Sequence, residues 1–121
     1  MAQLIYDHWE ENSGMDTRYF DHPFIHDVYV VNGRSKSGGS YREHVVPRVY
    51  LRDQCLALFA SGASIDEVAR ILEANLRVVH ISPEEADILN RSHKMDMPAG
   101  WKIGEGDPLE RLRRADIDVV D

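Results

Sequence analysis

The chain has 121 residues, of which 43% are hydrophobic and 29% are charged, and its formal net charge at pH 7 is −7. This length suits one compact domain, and the composition excludes a collagen-like or wholly disordered chain. No apolar run approaches the roughly 20 residues of a membrane-spanning helix, and the first residues lack the basic start and apolar core of a signal peptide. We therefore expect a cytoplasmic protein without membrane contact.

Charge and cysteine usage narrow the possible chemistry. Cys55 is the single cysteine, which excludes an internal disulfide and a multi-cysteine zinc site. It falls within an apolar helical pattern, so we expect a buried structural thiol. The negative net charge argues against non-specific binding of nucleic acid. Between positions 34 and 52, however, the chain has five cations and one anion, Glu43. A short basic segment thus lies inside an acidic protein.

The domain organisation is simple. Residues 1–24 mix aromatic and acidic side chains, and we predict an N-terminal arm there. Residues 25–121 contain neither an internal repeat nor a linker-like stretch, which indicates one small domain. Its predicted elements, a pair of strands followed by short helices with strands between them, indicate the α+β class.

Two strands are predicted at the start of this domain. Residues 25–31 are rich in β-branched and aromatic side chains and end at the turn dipeptide Asn32-Gly33. A polar, glycine-rich loop follows. Residues 41–46 predict the second strand, which Pro47 stops. We expect the two strands to form a β-hairpin over 25–47.

From position 49 the apolar spacing becomes that of helices. The first predicted helix carries the apolar residues Leu51, Cys55, Leu58 and Phe59, and we expect the hairpin to pack on it. Further helix starts are indicated by the capping residues Ser64, Ser82 and Asp107. Residues 77–81 predict a short strand between two of these helices.

One segment, Arg42-Glu43-His44-Val45-Val46-Pro47, could carry chemistry. Neighbouring strand side chains point to opposite faces, so an acid and a histidine enter one site only where the strand breaks, as it does before proline. A carboxylate oxygen can hold a divalent cation there. A neutral imidazole, with a pKa near ~6.5, can take a proton from water.

The string Glu43-His44-Val45-Val46-Pro47, with the predicted hairpin and loop before it, resembles the first half of the HNH (ββα-metal) endonuclease motif. The resemblance implies Glu43 as a ligand of a divalent metal ion (Mg²⁺, Mn²⁺ or Zn²⁺) and His44 as the general base that activates water against a phosphodiester bond. It also implies a later metal ligand, for which we expect His93 first and Asn90 second. Four cations would then hold the nucleic acid: Arg34, Lys36, Arg42 and Arg48.

The chain departs from the family pattern in three respects. In the family a helix follows the hairpin closely, whereas 49 positions separate His44 from His93. Many members have cysteine pairs for structural zinc, and this chain has none. The middle asparagine of the motif has no obvious counterpart, and Asn75 is one candidate for it. A degenerate HNH-like domain is therefore an alternative to an active one.

A second function from a different class also fits. A non-catalytic acidic interaction protein, such as an inhibitor of the phage or mobile-element type, would bind and block a macromolecular partner. Its negative charge would suit a basic, nucleic-acid-binding protein. The sequence does not indicate an oligomeric state.

A third function has less support. Residues 59–72 are similar to the first two helices of helix-turn-helix DNA-binding domains. The β-branched run at 77–81 lies close to where a recognition helix would be needed, so two packed helices are the better interpretation.

Each residue of the HNH-like string also has a purely structural interpretation. Glu43 could pair with Arg42 or Arg48, and His44 could bond to a backbone carbonyl at a strand end. His93 could end a helix, where a cation is favoured by the helix dipole.

Overall fold

The computed structural model of the protein describes residues 2–11 and 31–120. The helices and strands of these residues confirm the α+β class predicted from the sequence. Among these described residues, no helix combines the length and apolar character needed to cross a membrane. In chain order the elements are α1 (Ala2–Glu10), β1 (Val31–Ser35), β2 (Tyr41–His44), α2 (Arg48–Ala60), α3 (Ile65–Asn75), β3 (Val78–Ile81), α4 (Pro83–Ser92), α5 (Glu110–Arg114) and β4 (Val119–Val120).

The strands form one mixed sheet in the order β2-β3-β1-β4. β3 is parallel to β1 and antiparallel to β2, so that Val78 lies opposite both Val31 and His44. β4 runs antiparallel to β1. β2 and β4 are therefore the two edges of the described sheet.

This order corrects the β-hairpin predicted over 25–47, because β3 lies between β1 and β2. Burial explains the difference. Val78, Val79 and Ile81 are all buried, and a strand that is apolar on both faces belongs in the centre of a sheet. The sequence of β2, Tyr-Arg-Glu-His, suits a solvent-facing edge.

The loop between β1 and β2 passes over the end of β3. Gly39 lies in this loop with a φ of 136°, a conformation that L side chains rarely adopt. A Cβ at Gly39 would also clash with the carbonyl oxygen of Ile81. Glycine is therefore required where the chain bridges from one side of β3 to the other.

The described part of the predicted N-terminal arm is helix α1. It packs against α2 and α3, with Ile5 fully buried. The rings of Tyr6 and Trp9 lie against Phe59 of α2, with centroid separations of 5.2 and 6.1 Å. The remaining arm positions and the predicted strand residues 25–30 lie outside the described residues.

Two of the predicted helix starts are confirmed in detail. Ser64 accepts a hydrogen bond from the backbone N–H of Glu67 at 3.1 Å. The Ser82 hydroxyl likewise accepts from the backbone N–H of Glu85. The Glu85 carboxylate accepts from the N–H of Ser82 in turn, and the two bonds together form a capping box. The last helix begins later than predicted, at Glu110 rather than beside Asp107, because the Asp107 carboxylate accepts from the N–H of Leu109 and closes a turn.

A single cluster of buried apolar residues joins the sheet to the helices, and it includes Leu51 and Phe59 of α2 and Leu72 of α3. Cys55 lies in this cluster with no exposure, as predicted. Burial raises the pKa of its thiol to about 12, since a thiolate would lose its hydration there. In this cluster α2 packs with α1 and α3, and its first turn follows the end of β2 after a short connection.

Candidate functional site

A cleft of about 260 Å³ lies at the β2 edge of the sheet. Three segments line it: all of β2, residues 47–49 at the start of α2, and a wall formed by Asn90 of α4 with Lys94 and Met95 just beyond that helix. Side chains alternate between the two faces of a strand. A cleft lined by four successive strand residues therefore runs along the strand's open edge rather than over one face of the sheet.

The cleft brings together more than half of the site residues expected from the sequence. These are Arg42, Glu43, His44, Arg48 and Asn90. The first four are close in sequence, but Asn90 reaches the same cleft from a different helix. Lys94 adds a third cation to the lining. Neither Arg42 nor Lys94 forms an ion pair within the described residues.

The other three expected residues lie elsewhere. The His93 ring bonds to the Asp96 carboxylate, with 2.9 Å between Nδ1 and Oδ1. Lys36 pairs loosely with Asp118 at 3.6 Å, and both side chains are exposed. Arg34 lies on β1, opposite His80 of β3 and two strands away from the cleft.

Arg111 of α5 is the residue that fixes the buried end of β2. Its side chain is only 1% exposed. Its Nη2 donates to Glu43 Oε1 at 2.6 Å and to the carbonyl of His44 at 2.5 Å. Its Nη1 donates to the carbonyl of His93 at 2.9 Å, and its Nε to that of Val45 at 3.4 Å. We call this arrangement of Arg111 with its four acceptors the arginine clamp.

The arginine clamp satisfies a charge that would be costly to bury alone. Glu43, whose side chain is 14% exposed, has Arg111 as its ion-pair partner in the clamp. The sequence had suggested Arg42 or Arg48 for this role. Through the carbonyl of His93 the clamp ties the end of α4 to β2. It thereby sets the width of the cleft, because these are two of its three walls.

Three cations, Arg42, Arg48 and Lys94, line the cleft. Two of them, Arg42 and Lys94, have no ion-pair partner within the described residues, and the carboxylate of Glu43 faces the guanidinium of Arg111. Such a set of donors favours an anion, which guanidinium and ammonium groups bind through charge-assisted hydrogen bonds. In the part of the chain that the structure describes, no three His, Cys, Asp or Glu side chains are grouped so that they could hold a metal ion.

Two features of the site were not foreseen from the sequence. Arg111 lies in the run Glu-Arg-Leu-Arg-Arg, where nothing distinguishes a buried arginine from its exposed neighbours. Lys94 follows the expected metal ligand His93, and nothing in the sequence indicates that its charge lines the cleft. After α3 the chain forms the strand β3 and not a third helix, which agrees with the strand predicted for residues 77–81.

No family model, curated protein or solved structure matches the chain. Its function is therefore inferred from the cleft itself.

Proposed function

We propose that the protein is a non-catalytic interaction protein that holds an anionic group of a macromolecular partner in the cleft between β2, α2 and α4. The observation that carries this proposal is the ion pair between Glu43 and the buried Arg111. It engages the carboxylate that the HNH resemblance assigns to a metal ion. The remaining charged groups on the cleft wall, Arg42, Arg48 and Lys94, are all cations.

Electrostatics supports an anion over a metal ion. A divalent cation held by Glu43 would also approach the Arg111 guanidinium, which shares that carboxylate. Two unit charges about 5 Å apart repel by roughly 3 kcal/mol at an effective dielectric constant of about 20, and a divalent ion doubles this. The cations on the cleft wall add to the repulsion. An anion held on the wall beside Arg42 and Lys94 is attracted by these cations, and the Glu43 carboxylate repels it less because Arg111 neutralises that charge.

An HNH-type nuclease is the second candidate, because Glu43, His44 and Asn90 do line the same cleft. In that case His44 would remove a proton from water. Against this candidate, His93 bonds to Asp96 and is not part of the cleft lining.

A plasmid-nicking assay with Mg²⁺ or Mn²⁺ separates the two candidates. We expect the unaltered protein to leave supercoiled DNA intact to the same extent as a His44→Ala variant. Nicking that is lost in both His44→Ala and Glu43→Gln would overturn the proposal in favour of the nuclease.

Anion binding is tested with inorganic phosphate as the probe. In ¹H–¹⁵N spectra we expect phosphate to shift the backbone signals of Arg42, Arg48 and Lys94 in a saturable way. Lys102, which is exposed and lies outside this cleft, is the internal control. Equal shifts at Lys102 and at the cleft residues would contradict a specific anion site.

A further inference from the structure

We infer that the cleft takes an extended acidic segment of a partner protein, which adds to the sheet as a further strand beside β2. This inference rests on the proposed function and names the class of partner. It is carried by three independent features of the cleft: the backbone groups at the strand edge, the charges on the walls and the apolar side chains at the mouth.

The first feature is the hydrogen-bond register of β2. The N–H of Val45 donates to the carbonyl of Arg77 at 2.9 Å, which marks these residues as a hydrogen-bonded pair. Such pairs alternate along an antiparallel ladder, so Glu43–Val79 and Tyr41–Ile81 are the next two. Arg42 lies between them and directs its N–H and C=O away from β3. Within the described residues no strand lies on that side.

The arginine clamp determines where an added strand must end. The carbonyl of His44 also points away from β3, and Arg111 Nη2 already donates to it. An added strand could therefore form hydrogen bonds with the N–H and C=O of Arg42, but not with the carbonyl of His44, which already accepts from Arg111. Polypeptides bind exposed sheet edges in this way through main-chain hydrogen bonds, while pockets on either side select alternate side chains.

The second feature is the charge of the walls. Arg42 is on the strand itself and Lys94 follows α4, and both are exposed. They lie on two different walls of the cleft, so acidic side chains on either side of an extended segment would each meet a cation. Opposite charges at the rim of an interface raise the rate of association and discriminate among partners.

The third feature is apolar. Tyr41 and Met95 line the same cleft and are exposed by 45% and 54%. An extended segment with apolar residues between its acids would cover both. Methionine adapts its shape readily to an incoming side chain.

A nucleic acid fits these features less well. Its backbone has phosphates for the cations but no series of N–H and C=O groups that matches a strand edge. The net charge of −7 also repels a long polyanion as a whole. A polypeptide segment with a few acids incurs less of this repulsion.

The test uses a short capped peptide of alternating glutamate and valine, with binding to the full chain measured by calorimetry. We expect saturable binding that weakens about tenfold or more in Lys94→Glu and in Arg42→Glu, since each removes a charge-assisted contact and adds a repulsion. Arg70→Glu is the matched control, because Arg70 is exposed on α3 and lies outside the cleft. It should leave the affinity unchanged.

Backbone methylation of the peptide separates strand addition from simple charge attraction. In a strand, alternate residues direct their N–H groups toward the neighbouring strand. Methylating the nitrogens of the set that faces β2 should abolish binding, and methylating the nitrogens of the other set should leave binding unchanged. Equal binding of both methylated peptides, or failure of the unmodified peptide to bind, would overturn the inference.

Single-stranded DNA of equal charge is the competing probe. Tighter binding of the DNA than of the peptide in the same cleft would assign a nucleic-acid partner instead and would also overturn the inference. The outcomes of the peptide and DNA binding experiments do not bear on the proposed absence of catalysis, which the plasmid-nicking assay tests separately.

Discussion

At the buried end of β2 a single cation, Arg111, is surrounded by four acceptors of its own chain, whereas along the open edge Arg42, Arg48 and Lys94 line a cleft. The difference lies in desolvation. A buried guanidinium must find its acceptors within the fold, so it contributes to structure. Arg42 and Lys94 are exposed, so they have no such requirement and are available to an outside anion. The buried cation and the exposed cations around one strand thus differ in what they can bind.

The largest effect is expected when the arginine clamp is removed. Arg111→Met should lower the free energy of unfolding by about 3–5 kcal/mol, because it leaves the Glu43 carboxylate and three carbonyls without their donor. Urea denaturation measures this directly. Arg113→Met is the matched control, since Arg113 is on the same helix but exposed, and it should change stability by no more than about 0.5 kcal/mol. Similar losses in the two variants would show that the clamp is not structural.

Glu43→Gln tests the same ion pair by removing the charge of the carboxylate instead of the arginine. The amide oxygen still accepts from Arg111, but the charge is lost, so we expect a smaller loss of about 1–3 kcal/mol. In the double variant with Arg111→Met the two losses should not add, because both remove the same interaction. An unchanged denaturation midpoint in Glu43→Gln would contradict the assigned role of this carboxylate.

The cap of α4 affects the wall that carries Asn90. Ser82→Ala should cost about 0.5–2 kcal/mol, the usual range for an N-cap. Ser64→Ala in α3 is a matched variant, and we expect it to cost less. Ser82 belongs to a complete capping box whose Glu85 also accepts from the Ser35 hydroxyl at 2.5 Å, while Ser64 accepts a single bond. Thermal unfolding of the two variants under the same conditions shows which substitution lowers stability more.

The smallest effect on stability is expected on the cleft wall. Arg42→Ala and Lys94→Ala should each change the free energy of unfolding by no more than about 0.5 kcal/mol, as exposed substitutions usually do. Both should still weaken phosphate binding in the spectra described above. A substantial loss of stability in either variant would mean that these cations hold the fold together, as Arg111 does.

Local signals made the helix starts predictable, and long-range pairing made the strand order unpredictable. A capping serine and its glutamate lie within one turn of each other, so Ser64 and Ser82 could be recognised from a few letters. The place of β3 between β1 and β2 depends on burial across the whole domain. The composition of residues 25–31 and 41–46 predicted two strands, but the expectation that they pair with each other in a hairpin was wrong.

The same distinction applies to the cleft. Arg42, Glu43, His44 and Arg48 were found because they lie in one short string or directly beside it, and Asn90 because a resemblance suggested a second segment. The partner of Glu43 was missed because Arg111 lies 68 positions away. Nothing in an arginine-rich stretch tells which arginine is buried, since that depends on the cavity that other elements leave for it.

The separation of 68 positions between Glu43 and Arg111 has a consequence for synthesis of the protein. Contacts between residues far apart in sequence form only after the later one is available, and they slow folding. While a ribosome is extending the chain, β2 emerges long before β3, its partner in the sheet, and before the arginine that fixes its end. The cleft therefore acquires its final shape only after residue 111 has left the ribosomal tunnel, and nascent chains should not compete with finished molecules for the proposed partner.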